Sequence, residues 1–370
     1  MIRTKHLVLL LVFLSVVLAG TVMYLLLFGS QHDNGLNRTL SATGGSNPGV
    51  AQNKVATDTT EAARQAMIAK LKQEAPQDTQ TGVTPQQDTK IDTPDGGIPL
   101  GDGKRALSPK VGYVYSCLTN FDRPVSENEP WIENGYWFPD KKPHVSGSVT
   151  WNNQVSITTP EGARLISSNG LPDHPTGIFP IRPADPAYQY DKNPNTITAQ
   201  TNDLQLPLNP RVASAPSCLP MGMIGVALNG VAIYNALDAA GVDAAAHEVQ
   251  DGCAAHPQGA GEYHYHGPSP CMPDEKTSGL IGYALDGFGI YGMRDASTGA
   301  ILHNSDLDVC HGTTSPVMWN GTMVTIYHYV LTDEYPYTLG CFRGTPVAVR
   351  RPASAQPQGT AGQLPPPPQQ

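Results

Sequence analysis

Residues 225–235 read GVALNGVAIYN, and residues 282–292 read GYALDGFGIYG. In each, an Asn-Gly or Asp-Gly pair separates two short apolar runs, the strongest local signal for a β-hairpin closed by a two-residue type I′ turn. That turn asks for positive φ at both central residues, which Asn229-Gly230 and Asp286-Gly287 adopt at little steric cost. The two stretches are offset by 57 residues (225 to 282), and the same offset sets Asp238 on Asp295, Asp251 on Asp308 and Cys253 on Cys310. Farther along, with insertions in the second copy, Tyr263-His264-Tyr265-His266 is answered by Tyr327-His328-Tyr329-Val330, and Cys271 by Cys341. Each copy is a hairpin, a loop carrying Asp-x-Cys, a Tyr-His-Tyr strand and a closing cysteine. The sequence predicts a duplicated β unit over 225–271 and 282–341.

Strand signals also dominate the flanks of this repeat. Val111–Tyr115, Ser146–Trp151, Val155–Thr158 and Thr196–Thr201 are short, rich in Val, Ile, Thr and Tyr, and bounded by turn residues. Asn235–His247 is Ala-rich enough for a helical turn or two, broken by Gly241. The expected fold is all-β, or β-rich with minor helix: duplicated hairpin units forming a sandwich- or barrel-like, disulfide-stapled domain over 110–349. With 37 Gly, 34 Pro and only 15% charged residues in 370, much of the chain outside that domain is expected to be linker. Residues 29–109 read as a disordered tether, within which Thr60–Ala75 has the pattern of a short amphipathic helix. Residues 350–370 read as an extended Pro/Gln-rich tail.

Arg3 and Lys5 precede 22 uncharged residues from Leu7 to Phe28, long enough to span a bilayer core. Residues 1–28 are expected to be an uncleaved signal anchor. A cleaved signal ending near Val17-Leu18-Ala19 is the alternative. Positive charge on the N-terminal side places the rest of the chain outside, periplasmic or extracellular. The six cysteines, Cys117, Cys218, Cys253, Cys271, Cys310 and Cys341, contain no C-x-x-C pair, and in an exported domain they read as disulfides. Fifteen connectivities exist for six cysteines. The repeat favours Cys253–Cys271 and Cys310–Cys341, which leaves Cys117–Cys218. A net charge of −9 without any basic run argues against a nucleic-acid partner.

Alternate residues of a strand share a face, so His264 and His266 project together while Tyr263 and Tyr265 point the other way. Two imidazoles at that spacing suit one metal ion, and His256 in the preceding loop offers a third. Asp251, Glu262 and Asp308 are candidate carboxylate ligands, or acceptors that orient the imidazoles, with Tyr263 and Tyr265 beside them. The second copy contributes His311 and His328 but has Val330 in place of a histidine. The competing reading is a polar ladder of Tyr and His over a core. Asp286 reads as a turn residue and His174 as a surface-loop histidine. No G-x-S-x-G, H-E-x-x-H or G-x-x-x-x-G-K-[ST] motif occurs.

With GEYHYH at 261–266, Asp251-x-Cys253, GYALDG at 282–287 and YPYTLGCFRG at 335–344, the chain resembles the YHYH domain family. These are secreted or envelope-associated proteins, so the resemblance implies a compartment and a domain type rather than a reaction. It covers about 208–345, and Val330 departs from the tetrapeptide in the second copy. Two functions are therefore expected in competition. One is an exported, membrane-tethered domain that binds a divalent metal, copper or zinc, with redox or hydrolytic chemistry open to it. The other is a cell-envelope interaction module that binds a glycan or protein partner without metal.

Overall fold

The structure, a computed structural model, describes residues 96–125, 129–272 and 274–349. The expected anchor (1–28), the tether as far as residue 95 and the tail (350–370) lie outside them. Regular structure begins earlier than expected, inside the stretch read as tether. Strand β1 (Ile98–Pro99) pairs with β5 (Tyr136–Trp137), which also pairs with β4 (Ile132–Glu133); β2 (Arg105–Ala106) runs parallel to β3 (Val114–Tyr115). A separate antiparallel sheet joins β6 (Val155–Thr158), β7 (Ala163–Ser168) and β8 (Asn202–Pro207).

The repeat builds one eight-stranded mixed sheet. Its strands are β9 (Met223–Ala227), β10 (Ala232–Tyr234), β11 (Ala255–Pro257), β12 (Tyr263–Tyr265), β13 (Leu280–Ala284), β14 (Gly289–Tyr291), β15 (Gly312–Trp319) and β16 (Thr322–Val330). They lie in the order β11-β12-β10-β9-β13-β14-β16-β15. Exchanging each strand for its counterpart (β9 for β13, β10 for β14, β12 for β16, β11 for β15) returns the same order reversed. The register obeys the duplication too: Ile233 faces Tyr265 and Ile290 faces Tyr329 across parallel pairs. The central strands bury both faces, with every residue of β9, β10 and β14 buried. The disulfides are Cys117–Cys218, Cys253–Cys271 and Cys310–Cys341, the set favoured by the repeat.

Both hairpins form where the Asn-Gly and Asp-Gly pairs stand, but not with type I′ turns. Positive φ occurs at Gly230 and Gly287 and not at Asn229 or Asp286. Gly230 N–H donates to Ala227 O (2.8 Å) and Ala227 N–H to Val231 O (2.9 Å), and Gly287 and Ala284 repeat the pattern with Ala284 O and Phe288 O. These are three-residue loops, a turn followed by a left-handed glycine. The reason lies in the Asn229 and Asp286 side chains. Each accepts the N–H two residues on, from Val231 (3.2 Å) and Phe288 (3.3 Å), and each is bound to a tyrosine hydroxyl of its own copy. A primed turn would swing these side chains away from those partners.

Other expectations fared unevenly. The strand at Val155–Thr158 forms, while Val111–Tyr115 shrinks to Val114–Tyr115. Ser146–Trp151 makes only an isolated bridge, Val149 to Thr176, and the strand expected at Thr196–Thr201 appears instead at Asn202–Pro207. Helix α1 (Ala244–His247) is a single turn beginning after Gly241, capped by Asp243. Asp243 is fully buried and accepts from Gly101 N (2.9 Å), Tyr337 Oη (2.6 Å) and Ala246 N (3.4 Å), so it ties three distant segments together.

Two stability measurements follow from these contacts. Asp286 is 1% exposed and accepts Tyr329 Oη (2.5 Å), Gly344 N (2.8 Å) and Phe288 N, whereas Asn229 is half-buried. Urea unfolding of Asp286→Ala should show a loss of about 3 kcal/mol, against about 1 kcal/mol for Asn229→Ala. Burial pushes the Asp243 carboxyl up from 3.8 to about 6. A carboxyl raised in the folded state binds extra protons there, so its contribution is full below the unfolded value and is lost as pH rises through the folded one. Relative to Asp243→Asn, the wild-type chain should lose about 3 kcal/mol between pH 3.5 and pH 7, read from unfolding free energies across that range.

Candidate metal centre

Antiparallel pairing of β11 with β12 sets His256 opposite His264, and the strand period carries His266 to the same face. The three side chains are buried, and one nitrogen from each falls within 4.8 Å of the other two. Backbone carbonyls decide how the rings turn. His264 Nδ1 lies 3.0 Å from Glu262 O, and His266 Nδ1 lies 2.6 Å from Asn235 O. A carbonyl only accepts, so each Nδ1 carries a proton, and in the neutral ring each Nε2 presents a lone pair. Those two Nε2 atoms are 3.0 Å apart.

Two lone pairs at that distance repel unless a proton or a metal ion lies within reach of both. Burial, with the His256 and His266 imidazoles beside it, holds His264 well below the usual histidine range, which disfavours the proton there. Glu248 reaches over from the end of α1, with Oε2 3.1 Å from both His256 Nε2 and His266 Nε2. Burial alone would raise this carboxyl. The close His256 and His266 imidazoles, cationic when protonated, outweigh burial and hold it well below the usual range. Glu248 Oε2 and His256 Nε2 are buried, yet neither has a hydrogen-bond partner in favourable geometry. Atoms about 3 Å apart that are not aligned on one another suit ligands converging on a common centre, because donors about 2.0–2.1 Å from one ion lie about 3 Å from each other.

The surroundings fix this arrangement. Tyr234 stacks on His264, centroids 3.8 Å apart, and donates its hydroxyl to the Glu262 carboxylate. Glu262 thus orients the tyrosine that stacks on His264. On the opposite face Tyr263 donates to Asp251 Oδ2 (2.8 Å), while Tyr265 Oη meets His174 Nε2 (2.7 Å) and Asn229 Nδ2 (3.2 Å). His174, read as a surface-loop residue, is instead an anchor for that tyrosine. The cleft over the imidazoles has a volume of about 630 Å³.

His311 and His328 do not join the group. Four strands lie between β12 and β16, which puts the two Tyr-His-Tyr strands about 24 Å apart. His328 Nδ1 is held by Ile326 O (3.0 Å) and its ring packs edge-on against Tyr291. His311 Nε2 meets Thr332 Oγ1 (3.0 Å), and burial pushes it down to about 3. Asp308 plays for Tyr327 the part that Asp251 plays for Tyr263, accepting its hydroxyl at 3.0 Å. In the β11 position of the second copy Thr313 faces His328, so the histidine trio has no counterpart there.

Glu248 and the Asn235 carbonyl are the parts that sequence reasoning missed. Glu248 stands eight positions before His256, a spacing with no ligand signature, and a backbone acceptor leaves no trace in residue type. Among the described residues one further group gathers, His174 with Cys253 and Cys271, but its sulfurs are joined in a disulfide and offer no thiolate.

A β-rich domain stapled by three disulfides belongs to an oxidising compartment, extracellular or periplasmic. Residues 203–303 match the family model described as YHYH protein, so the chain carries a domain of the YHYH family. The matched stretch spans the whole first copy and the start of the second. No curated protein and no solved structure matches the chain. Among the described residues, no helix is long and apolar enough to cross a membrane.

Proposed function

We propose that this domain binds one divalent transition-metal ion, copper or zinc, through His256, His264 and His266, with Glu248 as the carboxylate of the set. The observation that carries the reading is the pair of Nε2 atoms 3.0 Å apart, each on a ring whose Nδ1 faces a backbone carbonyl. Imidazole suits both ions, and the absence of thiolates in an oxidised domain favours nitrogen and oxygen ligands. Bound there, zinc would supply a Lewis acid and copper an electron-transfer centre. The chain's own residues set the rest. Glu262 and Asn235 carbonyls lock the rings, Tyr234 covers one side, and the buried β12 strand prevents the ligands from separating. The exported domain would be held at the membrane by its N-terminal segment. The size of the cleft also leaves room for a glycan or protein group from the envelope, the reading that competes if no metal binds.

Metal analysis of the purified chain after loading with copper or zinc should find one equivalent. The His264→Ala/His266→Ala variant should retain none, and a metal-free wild type that matches this variant after careful loading would sink the proposal. Glu248→Gln should keep the ion with affinity lowered about 10–100-fold, measured by competition with a chelator. Saturating metal should raise the wild-type unfolding free energy by about 3 kcal/mol at a hundredfold excess over Kd, and leave the double variant unmoved.

A further inference from the structure

A volume of about 630 Å³ is far larger than one ion needs, so the cleft must be read by its walls. Besides Glu248 these walls carry the carboxylates of Asp191 and Asp238, while the cationic residue among the lining is Arg123, which is exposed to solvent. Neither aspartate is loosely placed. Asp191 Oδ1 accepts from Asn193 N (2.8 Å), and Asp238 Oδ1 accepts from Ala240 N (2.8 Å) and Val242 N (3.0 Å). Burial raises both carboxyls, which marks them as partly removed from water, where their field is screened less than that of a surface arginine. At the floor, the 5% exposed His256 lines the same space, with its Nε2 3.1 Å from Glu248 Oε2.

We propose that Asp191 and Asp238 make this cleft a cation-selective vestibule to the histidine centre: metal ions enter as hydrated cations steered by the two carboxylates, and a further ligand in the cleft is uncharged or cationic rather than an anion. The inference rests on the metal reading above. Low-dielectric walls in which three carboxylates face one exposed arginine focus the field toward the floor and raise the encounter rate of cations by about tenfold or more. The same field works against phosphate, carboxylate or azide approaching the bound ion. The aspartates act on approach and not by ligation, so their loss should change rates of entry far more than rates of release.

The test is stopped-flow loading of the purified full-length chain with Cu(II), followed by quenching of its intrinsic fluorescence. Wild type is compared with Asp191→Asn/Asp238→Asn, which retains Oδ1 for every loop hydrogen bond named above. The expected result is an association rate about tenfold lower in the variant at low salt, with the gap closing by about 0.5 M salt and the dissociation rate changed less than twofold. Azide should then bind the copper-loaded variant about tenfold more tightly than copper-loaded wild type, read from its charge-transfer absorption. Stoichiometric uptake with equal association rates, or equal azide affinity in the two proteins, overturns the vestibule and leaves the centre standing. Failure of wild type to take up copper, matching His264→Ala/His266→Ala, overturns both.

Discussion

The two copies meet along the antiparallel pairing of β9 with β13, where Gly225 faces Ala284, Val226 faces Tyr283 and Ala227 faces Gly282. Gly225 and Gly282 are equivalent positions of the repeat, and the reason both are glycine is contact. A Cβ on Gly225 would lie 2.8 Å from Tyr283 O, and one on Gly282 would lie 2.3 Å from Val226 O. The seam is thus self-complementary, as an isologous interface is, with the difference that the chain joins its halves covalently. Every other strand of the large sheet is added outward from this junction, so the positions of both Tyr-His-Tyr strands are set by it.

A symmetric frame carrying one asymmetric site is the main functional feature of the domain. Both copies keep the hairpin, the Asp-x-Cys loop, the disulfide and the paired tyrosines. Tyr263 and Tyr327 bond Asp251 and Asp308, while Tyr265 and Tyr329 bond Asn229 and Asp286. These contacts lie on the opposite face from the histidines and are structural in both halves. On the histidine face only the first copy presents three imidazoles, because Thr313 and Val330 stand where His256 and His266 would. The duplicated parts hold the strand in place, and the parts that differ carry the chemistry. Glu248 belongs to the second class, since Ser305 stands at its position in the second copy.

Several features were readable in the residues alone. The 57-residue offset between the GVALNGVAIYN and GYALDGFGIYG stretches predicted the duplication, and with it the disulfide pairing that the structure contains. The strand period placed His264 and His266 together, and an antiparallel return brought His256 to them. The turn type was misjudged because local preference for Asn-Gly was weighed without the tyrosine hydroxyls that hold Asn229 and Asp286. The strand expected at Thr196–Thr201 lies one segment later for a related reason: Asn202–Pro207, with Asn, Asp and Pro, has low β-propensity, but it alternates buried and exposed residues and pairs with β7.

The sequence by itself determined what repeats. Hairpin, loop, strand and cysteine are local patterns whose physics acts over a few residues, and their recurrence at one offset is visible without coordinates. Tertiary structure decided which histidines share a space and what accompanies them. The sheet order separated His328 from His264, a backbone carbonyl turned His266, and a carboxylate from a one-turn helix came within 3.1 Å of two imidazoles. Those outcomes depend on long-range packing and on main-chain groups common to every residue, so no pattern of side chains along the chain records them.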